Sequence, residues 1–231
     1  AALGLGLVLA TFWPGYLSWD SAWQWWQARH GELDPGHPPV MVRVWQLGRL
    51  VLPDPGGMLL VQVLAWWAAV AGFAQALGGG AWRRVLVVWL LGAWPALLAL
   101  LPHLWKDVWM MALFAGAVAC LAAELPSPRR SWRLAALLLL AAGCAFRHNA
   151  LPAALPLLAW IAWREVAGYA PAWPAKRRAL PSAVIALALA VGVFVLAALP
   201  AQHARVRHTE RVWSVVTLWD AAAVSLAEGA L

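Results

Sequence analysis

Charge is the scarcest feature of this 231-residue chain: Asp, Glu, Lys and Arg together make up only 12% of it, against about 25% in soluble domains. The apolar set reaches 64% and the mean hydropathy is +0.70, more apolar surface than a soluble core could hide. A soluble enzyme and a disordered chain are both excluded. Cysteine is scarce too: Cys120 and Cys144 both lie in apolar runs, where free thiols pack as small hydrophobes, so no disulfide scaffold can form. The six histidines lack ligand spacing on a common face, so no metal ligands are assigned. Walker, G-x-G-x-x-G and H-E-x-x-H motifs are missing, which leaves soluble nucleotide chemistry without support. No convincing internal repeat marks an inverted-repeat transporter.

What is abundant points to a bilayer. Nineteen tryptophans suit the headgroup level, and the 16 prolines and 18 glycines are tolerated in helices whose neighbours re-satisfy the backbone. Apolar runs at Ala1–Trp13, Gly57–Leu77, Val85–Leu101, Val108–Ala123, Leu134–Phe146, Ala150–Trp163 and Ala183–Leu199 predict an all-α polytopic membrane bundle of about seven spans. Residues 1–200 form the expected transmembrane domain, with a long first outer loop at 14–55. The start, inside an apolar run without Met, reads as trimmed, and residues 201–231 as the beginning of an outer C-terminal segment that is cut short. The clusters Arg83-Arg84, Arg129-Arg130-Arg133 and Arg164/Lys176-Arg177-Arg178 fall on one side by parity. Such clusters in short loops mark the cytoplasm. Basic charge is therefore topological, and no nucleic-acid partner is expected.

The opposite, outer side carries the chemistry-bearing residues. Ser18 to His30 reads as an interfacial amphipathic helix. Asp20, Gln24 and Gln27 form a polar stripe, beside Trp19, Trp23 and Trp26 turned toward membrane lipids. His37-Pro38-Pro39 opens a second loop helix, which sets His37 at an anion-favouring helix start and adds Arg43 and Arg49 as cations. Lys106-Asp107 begins the fourth span, where a local ion pair between the two is one reading. Arg147-His148-Asn149 interrupts spans of only 13 and 14 residues by this reading. Spans so short would draw the three below the outer surface, where ionisable groups are expensive and usually functional.

In their order and sidedness, Asp20-Ser21, His37-Pro38-Pro39-Val40, Asp107 and Arg147-His148-Asn149-Ala150-Leu151-Pro152 resemble motifs of the GT-C membrane glycosyltransferases that use polyprenyl-phosphate sugars. The likeness is to protein O-mannosyltransferases and the aminoarabinose transferase of lipid A, as an uncharacterised bacterial branch. Those families carry a DE pair, where Ser21 replaces the second acid here, then an HPPL or KPPL motif and a later K-G-x-x-x-x-P pattern. The resemblance spans roughly residues 1–200 and implies an enzyme of the bacterial plasma membrane with its site on the outer face. Its donor would be a polyprenyl-phosphate-linked sugar, and the acceptor an unidentified envelope hydroxyl. Asp20 would be the general base and Asp107 an orienting acid. Lys106, Arg147, His37 and Arg43 are the candidates to stabilise the departing phosphate, with His148 and Asn149 beside them in the substrate-binding set. A divalent cation would need carboxylates gathered by folding, Asp20 with Asp107. A transporter or lipid flippase using the same intramembrane charges as a relay, and a non-catalytic envelope scaffold, are the competing classes.

Overall fold

The computed structural model describes residues 1–31, 33 and 37–202, so the expected outer segment at 201–231 lies almost wholly outside the described residues. Ten α-helices and one 3-10 turn make up the described chain. The first three, α1 (Ala2–Phe12), α2 (Trp19–His30) and α3 (Pro39–Gly48), precede α4 (Gly56–Ala76), α5 (Ala81–Gly92) and α6 (Pro95–Leu100). Then come α7 (Lys106–Glu124), α8 (Arg130–Phe146), the 3-10 turn His148–Ala150, α9 (Leu151–Tyr169) and α10 (Ala175–Gln202). Among the described residues three helices are long and apolar enough to cross a membrane: α4, α7 and Ala175–Pro200 of α10. An all-helical membrane protein is the coarse architecture.

Two expectations about helix limits need correction. The apolar run Val85–Leu101 is two helices, because Trp94 precedes a proline and adopts an extended ψ of 125°, which residues before proline favour. Pro95 then opens α6 as its first residue. The 13- and 14-residue spans are also longer than the apolar runs suggested: α8 has 17 residues and α9 has 19. Charged side chains extend both helices because they are paired. Arg133 meets Glu165 at 3.2 Å, and Arg164 meets Glu124 at 3.1 Å. At 1.5 Å per residue α8 spans about 25 Å and α9 about 28 Å, closer to the roughly 30 Å hydrocarbon core than the apolar runs alone suggest.

Packing relies on small residues facing large ones, as bilayer helices require when backbones approach closely. One buried cluster gathers Met41, Trp45, Leu59, Val63, Trp67 and Val108 from α3, α4 and α7. A second joins α8, α9 and α10 through Ala136, Leu140, Ala154, Leu158, Ala190 and Val193. Glu124, Arg133, Arg164 and Glu165 gather at one end of this bundle, whereas Asp107 and Arg147 meet at the other. Gly143 shows how tight the α7–α8 seam is, since a Cβ there would lie 2.6 Å from the Phe114 ring. Gly143→Val should therefore destabilise the fold by roughly 1–3 kcal/mol, the scale of overpacking. Thermal unfolding in detergent checks this, and an unchanged transition would mean that the seam yields easily.

Candidate functional site

Local sequence explains how α2 carries its polar face. Ser18 caps the helix: its Oγ accepts from Ser21 N at 3.3 Å, and Ser18 N donates to Ser21 Oγ at 2.7 Å. Reciprocal bonds of this kind satisfy two end donors at once. Gly31 closes the helix at φ +74°, a left-handed conformation that glycine adopts without strain. Asp20 stands in the first turn, where the helix dipole favours an anion. Trp19, Trp23 and Trp26 face outward, with Trp23 stacked on Trp26 at 4.9 Å and Trp26 on His30 at 4.3 Å. Gln24 and Gln27, expected on a polar outer stripe, are instead buried. Gln24 and Gln27 lie one and two turns along from Asp20, on a face turned into the protein.

A backbone clip fixes this helix against the start of α7. Gly15, at φ +100°, turns the chain after α1. Tyr16 N then donates to the Pro102 carbonyl at 2.8 Å, and Leu104 N donates to the Tyr16 carbonyl at 3.0 Å. From α4, the fully buried Gln62 donates its amide to the Leu101 and His103 carbonyls, both at 2.9 Å. The residues just before Lys106 are thus held from two sides.

Lys106 is the first residue of α7, a position where the dipole disfavours a cation. Its ammonium turns to the loop instead, 2.9 Å from His37 Nδ1 and 3.8 Å from Asp20 Oδ2. An ammonium only donates, so neutral His37 must offer the Nδ1 lone pair and carry its proton on Nε2. That nitrogen faces Asp20 Oδ1 at 4.0 Å, an electrostatic contact beyond hydrogen-bond range. Asp107, the second residue of α7, is bound by the Arg147 guanidinium, whose Nε also donates to Asn149 Oδ1 at 2.9 Å. A local Lys106–Asp107 pair, one of the readings open from sequence, gives way to two longer-range partnerships, because consecutive helical residues point to different faces. Ser18, Trp19, Asp20, Ser21 and Gln24 on one side, with Leu104 to Asp107 and Arg147 on the other, enclose a cavity of about 400 Å³. That falls within the usual size of a small-molecule pocket.

Comparison with known protein families, curated proteins and solved structures finds no match. Function is therefore read from the side chains alone.

The structure gathers Asp20, Asp107, Lys106, Arg147 and His37 at one place. Asn149 joins through Arg147, while the His148 side chain lies outside what is described. Arg43 does not join: it is exposed and donates to Gln46 at 2.9 Å. Arg49 donates to the Ala28 carbonyl at 2.9 Å and lies over the Trp25 ring. A divalent cation would find only two carboxylates in the cavity, each already facing a cationic side chain, a donor set poorer than the oxygen-rich shells such ions take. Gln24, Trp105 and Gln62 were missed as site or support residues. For Gln62 the signal was a mid-helix amide in a 21-residue apolar helix whose other amide, Gln75, lies at its end. In a double-mutant cycle on thermal stability, Asp107→Asn with Arg147→Gln should show coupling of roughly 0.2–1 kcal/mol, the range for partly exposed pairs. Lys106→Gln with Asp107→Asn should be additive within about 0.5 kcal/mol, and the reverse pattern would reinstate the local pair.

Proposed function

We propose that this chain is the membrane part of a GT-C-type glycosyltransferase. It moves a sugar from a polyprenyl phosphate to an envelope hydroxyl on the outer face of a bacterial plasma membrane. On this reading α1, α4, α5 with α6, α7, α8, α9 and α10 are seven crossings, and α2 and α3 are interfacial helices of the first outer loop. The observation that carries the proposal is the joint cavity. A carboxylate, Asp20, stands beside Lys106, with the Arg147 guanidinium in the same wall, at one end of an apolar bundle where a lipid-borne donor arrives from the membrane plane.

The chemistry follows from those positions. The acceptor oxygen attacks the anomeric carbon and gives up its proton to Asp20, while the bond from that carbon to the phosphate oxygen breaks. The phosphate leaves with the bonding electron pair, and its growing charge falls to Lys106 and Arg147. His37 holds Lys106 by accepting from its ammonium, which leaves Nζ one donor fewer for a ligand but fixes its direction. Asp107 orients Arg147 in the same way.

Asp20→Asn tests the base. The carboxamide keeps shape and loses basicity, so glycosyl transfer in membranes expressing the intact gene should fall by about 100-fold or more, with insertion and expression unchanged. Transfer at the parental rate by the Asn variant would reduce Asp20 to a surface acid. Transport of the intact lipid-linked sugar without transfer would favour the flippase class instead.

Sidedness has its own check. In a background lacking Cys120 and Cys144, single cysteines placed at 18–31 or 103–107 should react with an impermeant thiol reagent added to intact cells. Those at 127–131 and 172–178 should be protected. The motivation is the basic clustering at Arg129-Arg130 and Lys176-Arg177-Arg178. Labelling at 172–178 from outside would overturn the crossings and the outer-face site together.

A further inference from the structure

Two buried N–H donors in the cavity wall have no acceptor among the described residues. Gln24 is 2% exposed, lines the cavity, and its amide nitrogen bonds to none of the described residues. Trp105 lines the same cavity, and its indole Nε1 is likewise buried and unpartnered. Buried polar groups are nearly always satisfied, so an orphan donor in a cavity wall calls for a ligand atom. We propose that Gln24 is the specificity-determining donor of this cavity. Its amide hydrogen-bonds a neutral hydroxyl of the transferred sugar, and the Trp105 indole serves as a second donor to the same ring.

The inference rests on the sugar-transfer reading of the cavity and adds to it which wall reads the sugar. The charged donors, Lys106 and Arg147, come from the start of α7 and the end of α8, and their charge suits the phosphate. Gln24 comes from α2 and is neutral. It lies one helical turn after Asp20 on the same face, hence on the side of the attacking hydroxyl. In a displacement at the anomeric carbon, the ring sits between the attacking oxygen and the departing phosphate, so a neutral donor beside the base meets ring hydroxyls. An amide also offers an acceptor oxygen, and a sugar hydroxyl can donate and accept at once. The discrimination should be steep. A site built to bond a hydroxyl rejects the analogue that lacks it, since its own buried group is then left unpaired.

The test uses purified protein in lipid nanodiscs. Its probes are sugar-free decaprenyl phosphate and decaprenyl phosphate bearing mannose, glucose, galactose or arabinose. Gln24→Leu should weaken the tightest-binding sugar lipid by at least about tenfold, the scale of one buried hydrogen bond, and leave decaprenyl phosphate unchanged. Lys106→Ala should weaken both classes of probe. Gln24→Met, which keeps the length of the side chain and removes the donor without adding a charge, should repeat the selective loss and guards against a folding defect. Among monodeoxy versions of the preferred sugar, one should cost the parent protein as much as Gln24→Leu does and cost the Leu variant nothing further. Equal losses on sugar-free and sugar-bearing lipid would assign Gln24 to the phosphate or the fold and overturn the inference. So would selective sugar binding that survives in both Gln24 variants, with the transfer reading still standing. A parent protein that binds no sugar lipid more tightly than decaprenyl phosphate would sink the inference and the transfer reading together.

Discussion

The start of α7 is the constraint on which the rest of this structure depends. Four separate segments reach it within a few residues. Tyr16 holds the Pro102–Leu104 backbone, Gln62 holds the Leu101 and His103 carbonyls, Lys106 reaches His37 and Asp20, and Asp107 takes Arg147. In water each contact would be modest, since partly exposed ion pairs contribute roughly 0.2–1 kcal/mol. Together they bring one polar point of α1–α2, α3, α4, α7 and α8 to one end of an apolar bundle. Lys106 is the costly member. It stands where the helix dipole repels it, and a locally unfavourable choice of that kind is expected at functional sites.

The bundle handles its remaining charges differently. At the far end, Glu124 is 1% exposed and is gripped by Arg164 through Nε and Nη2, and Arg133 lies 3.2 Å from Glu165. These pairs close upon themselves, which lets α7, α8 and α9 run past their apolar stretches. At the cavity end, pairing is incomplete among the described residues: Asp20 has no cation within hydrogen-bond distance, and the Gln24 amide and Trp105 indole donors are open. Charges paired with each other build length, whereas polar groups left open at the cavity leave room for a ligand.

Much of this was legible from residues alone. Ser18 and Gly31 delimit α2 as cap chemistry predicts, Pro38-Pro39 open α3, and the outward Trp19, Trp23 and Trp26 face follows from their spacing. The apolar runs gave the long helices, and of the outer-side residues singled out, Asp20, Lys106, Asp107 and Arg147 line one cavity. Three things were not legible. Pro95 sits inside a continuous apolar run, and hydropathy does not register a backbone break. The partners of Lys106 and Asp107 lie 69 and 40 residues away in sequence, and only folding selects them over the adjacent residue. Gln24 and Gln27 read as a wet stripe, because an amide carries no sign of which medium it faces. With the tryptophans turned outward, the amide face is the one left to meet the protein.

The two carboxylates of the cavity then separate by their surroundings. Asp107 is held by the Arg147 guanidinium, which in turn is anchored by Asn149. A carboxylate so engaged has its lone pairs committed to a cation, and its use as a base would first break that pair. Asp20 is freer, with its side chain 57% exposed and its nearest cationic nitrogen 3.8 Å away. The Lys106 ammonium and the His37 ring both lie near it but beyond hydrogen-bond range, so they leave its oxygens open. On the proposed reading this is the arrangement a general base needs, a carboxylate open to an incoming hydroxyl. Asp107 then acts at one remove, by keeping Arg147 aimed at the phosphate. Division of labour between two like groups by environment alone is a recurring means of assigning acid–base roles. Here it assigns the base to α2 and the anion clamp to the α7–α8 junction.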